Sequence, residues 1–356
     1  MICFFNTNRA WGGGEKWHFD IASQLFSEGI EVMAVAHARS VLKKKLEVQQ
    51  FPVHTIKVSN FWILNAFKIL KLASFLKKHK VECIILNLPA DLKVAGIAAR
   101  LAKVRRIIYR RGSAIAIKNS FLNRFLFRNI ITEILANSIE TKRLINKNNP
   151  LLFSNEKIRV IYNGIKTEDY PPPDAIKKNH KNIVIGNLGR LEKQKAQHIL
   201  LEMAARFKTE TIDFQIIIGG DGQLKESLSK QIEKLNLEKF VVLAGHIDDV
   251  NAFMQSLDIF VLTSSWEGFG YVIAEAMLCE KPVVAFNHSS NPELVDHGVN
   301  GFLAKSGDND DLFRYIKKLA EDEDLRNTMG ENGRKKIIAN FDFKNQYAET
   351  RDFLIS

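Results

Sequence analysis

The sequence predicts an α/β fold built from two doubly wound parallel-sheet domains of similar size, on three observations. Short apolar runs alternate with helix-length amphipathic segments from end to end, the pattern of parallel sheets wound with helices. At 356 residues the chain exceeds what one hydrophobic core usually supports. Asn163-Gly164, followed by the polar, proline-rich stretch KTEDYPPPDAIKKNHKN, marks a break near the middle.

In the first half the apolar runs place strands near Ile2–Asn6, Glu31–Ala36, Val53–Ile56, Glu82–Asn87, Arg105–Tyr109, Ile131–Ala136 and Arg159–Tyr162. The amphipathic segments between them place helices near Glu15–Ser27, Trp62–Lys80, Leu92–Ala102 and Ile139–Lys147. In the second half strands are expected near Ile183–Leu188, Phe214–Ile218, Phe240–Leu243, Ile259–Leu262 and Pro282–Phe286, again alternating with helices. Open α/β sheets bind ligands beyond the carboxyl ends of their strands, so two such domains facing each other are expected to hold a ligand between them.

The composition, 46% hydrophobic and 26% charged, is ordinary for a soluble globular protein. The N-terminus does not read as a secretory signal, and no apolar run is long enough to span a bilayer. Cys3, Cys83 and Cys279 are odd in number and scattered through apolar segments, which suits buried thiols of a reducing compartment. The net charge of +11 conceals an asymmetry. Residues 1–165 carry 27 Lys and Arg against 10 Asp and Glu, and the remainder carries 24 against 30. Two halves of opposite sign are expected to face different partners.

The stretch EGFGYVIAEAMLCEKPVVAF, from Glu267 to Phe286, sets two carboxylates eight residues apart around a glycine turn, where an apolar strand gives way to a helix. A helix N-terminus suits a phosphate, whereas a carboxylate beside it suits hydroxyls. Hydroxyls plus phosphates describe a nucleotide sugar. Glu275 is hemmed in by Val272, Ile273, Ala274, Ala276 and Met277, so its carboxylate is expected to have a partner. Earlier, Arg190 and Lys195 leave a buried strand just before a helix. Two readings fit them: a clamp on a diphosphate, or a pair of solvated surface cations. Glycine clusters end two other strands, Gly12, Gly13 and Gly14 in the first half and Gly219, Gly220 and Gly222 in the second. Each is either a tight turn or a place where backbone approaches a ligand.

Together these elements resemble glycosyltransferase family 4, over essentially the whole chain and most strongly from Ile183 to Asp308. The family's Glu-x7-Glu motif matches Glu267 and Glu275, its basic pair matches Arg190 and Lys195, and its N-terminal glycine loop matches Gly12–Gly14. Its interdomain asparagine-glycine matches Asn163-Gly164, and its later glutamate-and-glycine region matches ELVDHGVNGFL. The resemblance implies a GT-B fold and transfer with retention of anomeric configuration. It implies that Glu275 binds the nucleotide ribose, Glu267 the transferred sugar, and Arg190 and Lys195 the donor diphosphate. Gly12, Gly13, Gly14, Gly189, Gly220, Gly268, Phe269 and Gly270 are expected to join the donor site, with Arg110, Arg111 and Asn163 on the acceptor or donor-sugar side. The expected domains are 1–165 for the acceptor and 166–340 for the nucleotide sugar, with helix 341–356 packing back onto the first. Two departures stand out. Arg110 and Arg111 replace a histidine that many members carry, and Ser290 and Asn291 stand where many carry two glycines.

GT-B enzymes typically need no metal, and Asp248-Asp249 and the EDED run read as solvated acids, so neither metal nor cofactor is expected beyond a UDP- or GDP-linked co-substrate. The acceptor is approached through two basic amphipathic segments. Trp62–Lys80 reads as a sheet-packing helix with a basic outer face. In KNSFLNRFLFRN, Phe121, Leu122, Phe125, Leu126 and Phe127 interleave with Lys118, Arg124 and Arg128, which reads as a surface for anionic membrane or a lipid acceptor. The expected protein is thus a cytoplasmic transferase on the inner face of the plasma membrane, working in lipopolysaccharide or surface-polysaccharide assembly. Two alternatives are a transferase acting on a soluble small molecule and a basic nucleic-acid-binding protein; the second leaves the glutamates and glycine turns unexplained, and no nucleic-acid partner is expected.

Overall fold

The computed structural model describes residues 1–58, 65–172, 182–210 and 212–356. Trp62 and the front of its expected helix lie outside them, as do positions 173–181 of the proline-rich break. The chain divides into two compact units: Met1–Asn163 together with Asn345–Ser356, and Gly164–Lys344.

The first unit is a seven-stranded parallel sheet of β1 (Ile2–Asn6), β2 (Val32–Ala36), β3 (Val53–Thr55), β4 (Cys83–Leu86), β5 (Arg106–Arg111), β6 (Glu133–Ala136) and β7 (Ile158–Val160). The strand order is β3-β2-β1-β4-β5-β6-β7. Ile2 lies opposite Val32 on one side and Cys83 on the other. Central strands covered on both faces read as unbroken apolar runs, and β1 and β4 are buried along their whole lengths. Helix Ala66–Lys78 is capped by Asn65, whose side chain accepts from the Lys68 N–H at 3.0 Å. It buries Ile69, Leu72, Ala73 and Leu76, one stripe at helical spacing, while Lys71, Lys77 and Lys78 face outward. The last helix, Phe343–Ile355, is held to this unit by the Arg106 guanidinium, which donates to the Leu354 carbonyl at 3.1 Å, and by the Arg159–Glu349 ion pair at 2.9 Å.

The second unit is a six-stranded parallel sheet of β8 (Ile183–Leu188), β9 (Phe214–Gly219), β10 (Val241–Gly245), β11 (Ile259–Leu262), β12 (Val283–Phe286) and β13 (Gly301–Ala304), in the order β10-β9-β8-β11-β12-β13. The sequence reading did not anticipate β13. Its four residues begin with a glycine, and the first three close the glutamate-and-glycine region ELVDHGVNGFL. Gly301 sits opposite Val283, where a Cβ would come 2.2 Å from the Val283 carbonyl oxygen, so this edge strand needs a residue of poor strand propensity.

Two expectations are corrected on the segment after β5. It forms a short helix, Phe121–Phe125, that widens into a π turn, Leu126–Ile130. The altered winding turns Leu126 and Phe127 inward, and the Phe127 ring packs 5.9 Å from Tyr109 and 6.3 Å from Phe153. Those two residues are core. Phe121, at 78% exposed, and Phe125, at 40%, remain on the surface with Lys118 and Arg128.

Candidate functional site

In both sheets the strand order reverses at one point, between β1 and β4 and between β8 and β11. Open parallel sheets bind ligands outside the carboxyl ends of the strands at such a point. The candidate residues gather at both.

In the second unit the turn after β8 carries Gly189, Arg190 and Lys195, and the loop after β11 carries Glu267. Lys195 Nζ donates to Glu267 Oε1 at 2.5 Å, and both side chains are largely buried. The two segments are tied by further bonds. Thr263 Oγ1 donates to the Lys195 carbonyl at 2.8 Å, the Ser265 N–H to the Gln194 carbonyl at 2.7 Å, and Gln194 Nε2 to the Trp266 carbonyl at 2.8 Å. A Cβ at Gly189 would meet the Lys195 stem at 3.2 Å, so the glycine makes room for it. Arg190, by contrast, is exposed and pairs with Glu192 at 2.9 Å.

Ser289 and Ser290 grip Glu267 from the far side. The Glu267 N–H donates to Ser289 Oγ at 3.0 Å, and the hydroxyls of Ser289 and Ser290 donate to the Glu267 carbonyl at 2.6 and 3.1 Å. Asn291 Nδ2 donates to the Phe286 carbonyl at 3.0 Å. Ser290 thus has a local reason, since with Ser289 its hydroxyl braces the loop that bears Glu267, whereas Asn291 ties back to the end of β12.

From Glu267 the chain turns through Gly268, Phe269 and Gly270, whose φ of +92° opens helix Tyr271–Leu278. The Phe269 ring is buried against Tyr271 and Phe341, both at 5.5 Å, so this turn offers a ligand its main chain rather than its aromatic ring. One turn into the helix Glu275 is buried. Tyr170 is its neighbour: burial, then the charge of Glu275 and a hydrogen bond to it, push the Tyr170 hydroxyl far up. The glycines after β9 serve the protein's own backbone. At Gly220, φ is +125° and a Cβ would fall 2.0 Å from the Gly189 carbonyl oxygen. The approach anticipated there is to the turn that carries Arg190, and the Leu191 N–H donates to the Asp221 carbonyl at 2.9 Å alongside.

In the first unit the Gly12–Gly14 loop runs into helix Gly13–Ser27. A Cβ at Gly14 would lie 2.6 Å from Asn87 Nδ2, so this glycine is required by packing. Around it lies a buried polar cluster that sequence reasoning missed. Asn6 Nδ2 donates to Glu15 Oε1 at 3.0 Å, and the Thr7 N–H to Asp91 Oδ2 at 3.0 Å, with the Thr7 hydroxyl on the other Asp91 oxygen. Burial pushes the Asp91 carboxyl up to about 7; the two bonds from Thr7 oppose this and the charge of Glu15 adds to it. Arg110 is fully buried. Its guanidinium donates to Asn87 Oδ1 at 3.0 Å and Asn163 Oδ1 at 2.8 Å, and stands 4.4 Å from the Trp17 ring centroid. The structure thus brings together three residues expected on the acceptor side or in the glycine loop, Arg110, Asn163 and Gly14, and turns Arg111 elsewhere, toward Tyr109 and the Ile115 carbonyl. The one available signal was the polar residue ending each apolar run: Asn6, Asn87, and the Thr263 that follows β11.

Comparison with known proteins agrees with this layout. Residues 11–169 match the Glycosyltransferase Family 4 model, and residues 173–336 the model for Glycosyl transferases group 1. An uncharacterised glycosyltransferase of Methanocaldococcus jannaschii is 30% identical over 77% of this chain and 75% of its own. A Campylobacter jejuni enzyme named N-acetylgalactosamine-N,N'-diacetylbacillosaminyl-diphospho-undecaprenol 4-alpha-N-acetylgalactosaminyltransferase is 28% identical over 80% and 81%. The crystal structure of Anabaena HepE in complex with UDP and glucose superposes with a TM-score of 0.85 at 27% identity, covering 99% of this chain and 98% of that one. Paired parallel-sheet units with these switch-point sites define a GT-B glycosyltransferase. The chain belongs to glycosyltransferase family 4.

Proposed function

We propose that the protein is a retaining transferase that moves a sugar from a UDP- or GDP-linked donor to a membrane-associated glycolipid or polysaccharide acceptor, in lipopolysaccharide or surface-polysaccharide assembly. Its place would be the cytoplasmic face of the plasma membrane. The observation that carries the reading is the Lys195–Glu267 pair, braced from both sides and followed eight residues later by buried Glu275. Support for a nucleotide sugar comes from HepE, solved with UDP and glucose, and for a lipid-linked acceptor from the Campylobacter enzyme named for one.

Chemically, the bond from the anomeric carbon to the diphosphate oxygen breaks and the leaving nucleoside diphosphate keeps the electron pair. The acceptor hydroxyl attacks the same face, and its proton passes to the departing phosphate oxygen. Charge grows on the diphosphate, and Lys195, Arg190 and the N-terminus of helix Tyr271–Leu278 supply positive potential without a metal. Glu275 holds ribose hydroxyls and Glu267 the sugar. A panel of UDP- and GDP-sugars, assayed for release of nucleoside diphosphate, tests the reading. At least one should turn over; release from none would refute it.

A further inference from the structure

A cavity of about 140 Å³ lies wholly within the first unit, and none of its lining residues belongs to the buried Asn6–Arg110 cluster. Its walls carry three cations: Lys93, Arg111 from the end of β5, and Lys118. No carboxylate lines it, and neither Lys93 nor Lys118 pairs with an acid among the described residues. Arg111 is held in place, donating from Nη2 to the Ile115 carbonyl at 2.7 Å and from Nη1 to the Tyr109 hydroxyl at 3.4 Å. Leu126 and Phe127 form an apolar wall.

The backbone around the cavity is irregular in a telling way. Lys93 comes from a π turn, Leu92–Gly96, and Leu126 and Phe127 from the other π turn, Leu126–Ile130; the two turns pack against each other. Such turns are rare and are frequently found at functional sites. Beside the cationic walls the same loops expose apolar side chains: Ile115 at 44%, Phe121 at 78% and Phe125 at 40%.

A cationic pocket next to exposed apolar residues is complementary to an amphiphile with an anionic head. Space for several waters suits a diphosphate, and guanidinium and ammonium groups together suit its oxygens. We infer that this cavity binds the diphosphate of a lipid-linked acceptor, with the first isoprenyl units lying along Ile115, Phe121 and Phe125. The inference rests on the lipid-acceptor reading above and assigns that acceptor a site within the first unit.

The test is calorimetric titration of the full-length protein with farnesyl diphosphate, farnesol, inorganic diphosphate and a short-chain phosphatidylglycerol below its micellar concentration. Farnesyl diphosphate should bind, and each of the other three at least about tenfold more weakly, because each lacks either the full charge or the chain. Lys93→Gln with Lys118→Gln should weaken farnesyl diphosphate by at least about tenfold, with the melting temperature as the control for folding. Lys93→Arg with Lys118→Arg should restore it, and saturating UDP should not displace it. Unchanged affinity in the glutamine variant, farnesol binding as tightly as the diphosphate, or phosphatidylglycerol matching it would each overturn the inference. Titrating UDP and GDP in the same samples separates the two readings. Nucleotide binding without farnesyl diphosphate binding sinks the cavity alone; lysine-dependent farnesyl diphosphate binding without nucleotide binding sinks the transferase reading alone.

Discussion

Lys195 and Glu267 meet in a largely buried contact, so replacing either exposes the other to an uncompensated environment as well as removing its own contribution. Lys195→Ala is expected to lower turnover by ~10²–10³, since its charge matters most when the diphosphate departs. Glu275→Ala should instead weaken nucleoside diphosphate binding by about 1.5–3 kcal/mol, the loss of a hydrogen bond to a charged acceptor. Calorimetry on the folded variant decides this, and unchanged affinity removes the ribose role. Asp91 yields a prediction of a different kind. Its carboxyl is held up to about 7, against an ordinary value of 3.8, so between those values the native state binds more protons than the unfolded one. Its contribution to stability is present below about pH 4 and is lost as pH rises through about 7, a change on the order of a few kcal/mol. Asn at this position can still accept from the Thr7 N–H and donate to its hydroxyl. Asp91→Asn should therefore gain in melting temperature relative to the native protein between pH 4.5 and 8, and parallel profiles would contradict the assignment. Glu267 and Glu275 were legible in the sequence because apolar neighbours left Glu275 no solvated position. Asp91, Asn87 and Tyr170 were not, because their roles depend on residues up to 105 positions away meeting in space.

At the level of elements, apolar runs located twelve of the thirteen strands among the described residues, since a strand buried on both faces needs little besides a short apolar segment. β13 escaped because a close approach of backbone there selects Gly301 over any β-branched residue. Helix Val41–Val48 escaped as well: only Leu42 and Leu46 are buried, too thin a stripe to stand out. The Phe121–Ile130 segment was half legible. Its composition is that of an amphipathic surface helix, but the π turn that buries Phe127 leaves no mark in residue spacing. The surface that remains still predicts membrane affinity, at about 1 kcal/mol per basic side chain near an anionic surface and falling with salt. The protein should sediment with anionic vesicles and poorly with neutral ones, and replacing Phe121, Phe125 and Arg128 should reduce that binding. Equal sedimentation with both vesicle types, or with neither, would return these residues to an acceptor-pocket or packing role.

For the whole molecule, the opposite charge of the two halves follows the division into units closely, with the basic half carrying Lys93, Arg111, Lys118 and Arg128. The chain passes from the first unit to the second between Asn163 and Gly164. The three cysteines are buried, and burial pushes the thiols of Cys83 and Cys279 up to about 12, so none should react with an alkylating reagent while the fold is intact. The proposed chemistry also requires activity to survive a chelator. Loss of transfer in EDTA, with recovery on adding a divalent ion, would show that Lys195 and Arg190 do not supply the positive potential alone.

The Lys195–Glu267 pair in the second unit is proposed to act on a nucleotide sugar. Its most direct test is the rate of nucleoside diphosphate release from the best donor, measured for the native protein and for Lys195→Ala at saturating donor. That rate should fall by ~10²–10³ when measured well below the melting temperature of the variant, which unpairing Glu267 lowers. A Lys195→Ala protein that releases nucleoside diphosphate at the native rate would contradict it.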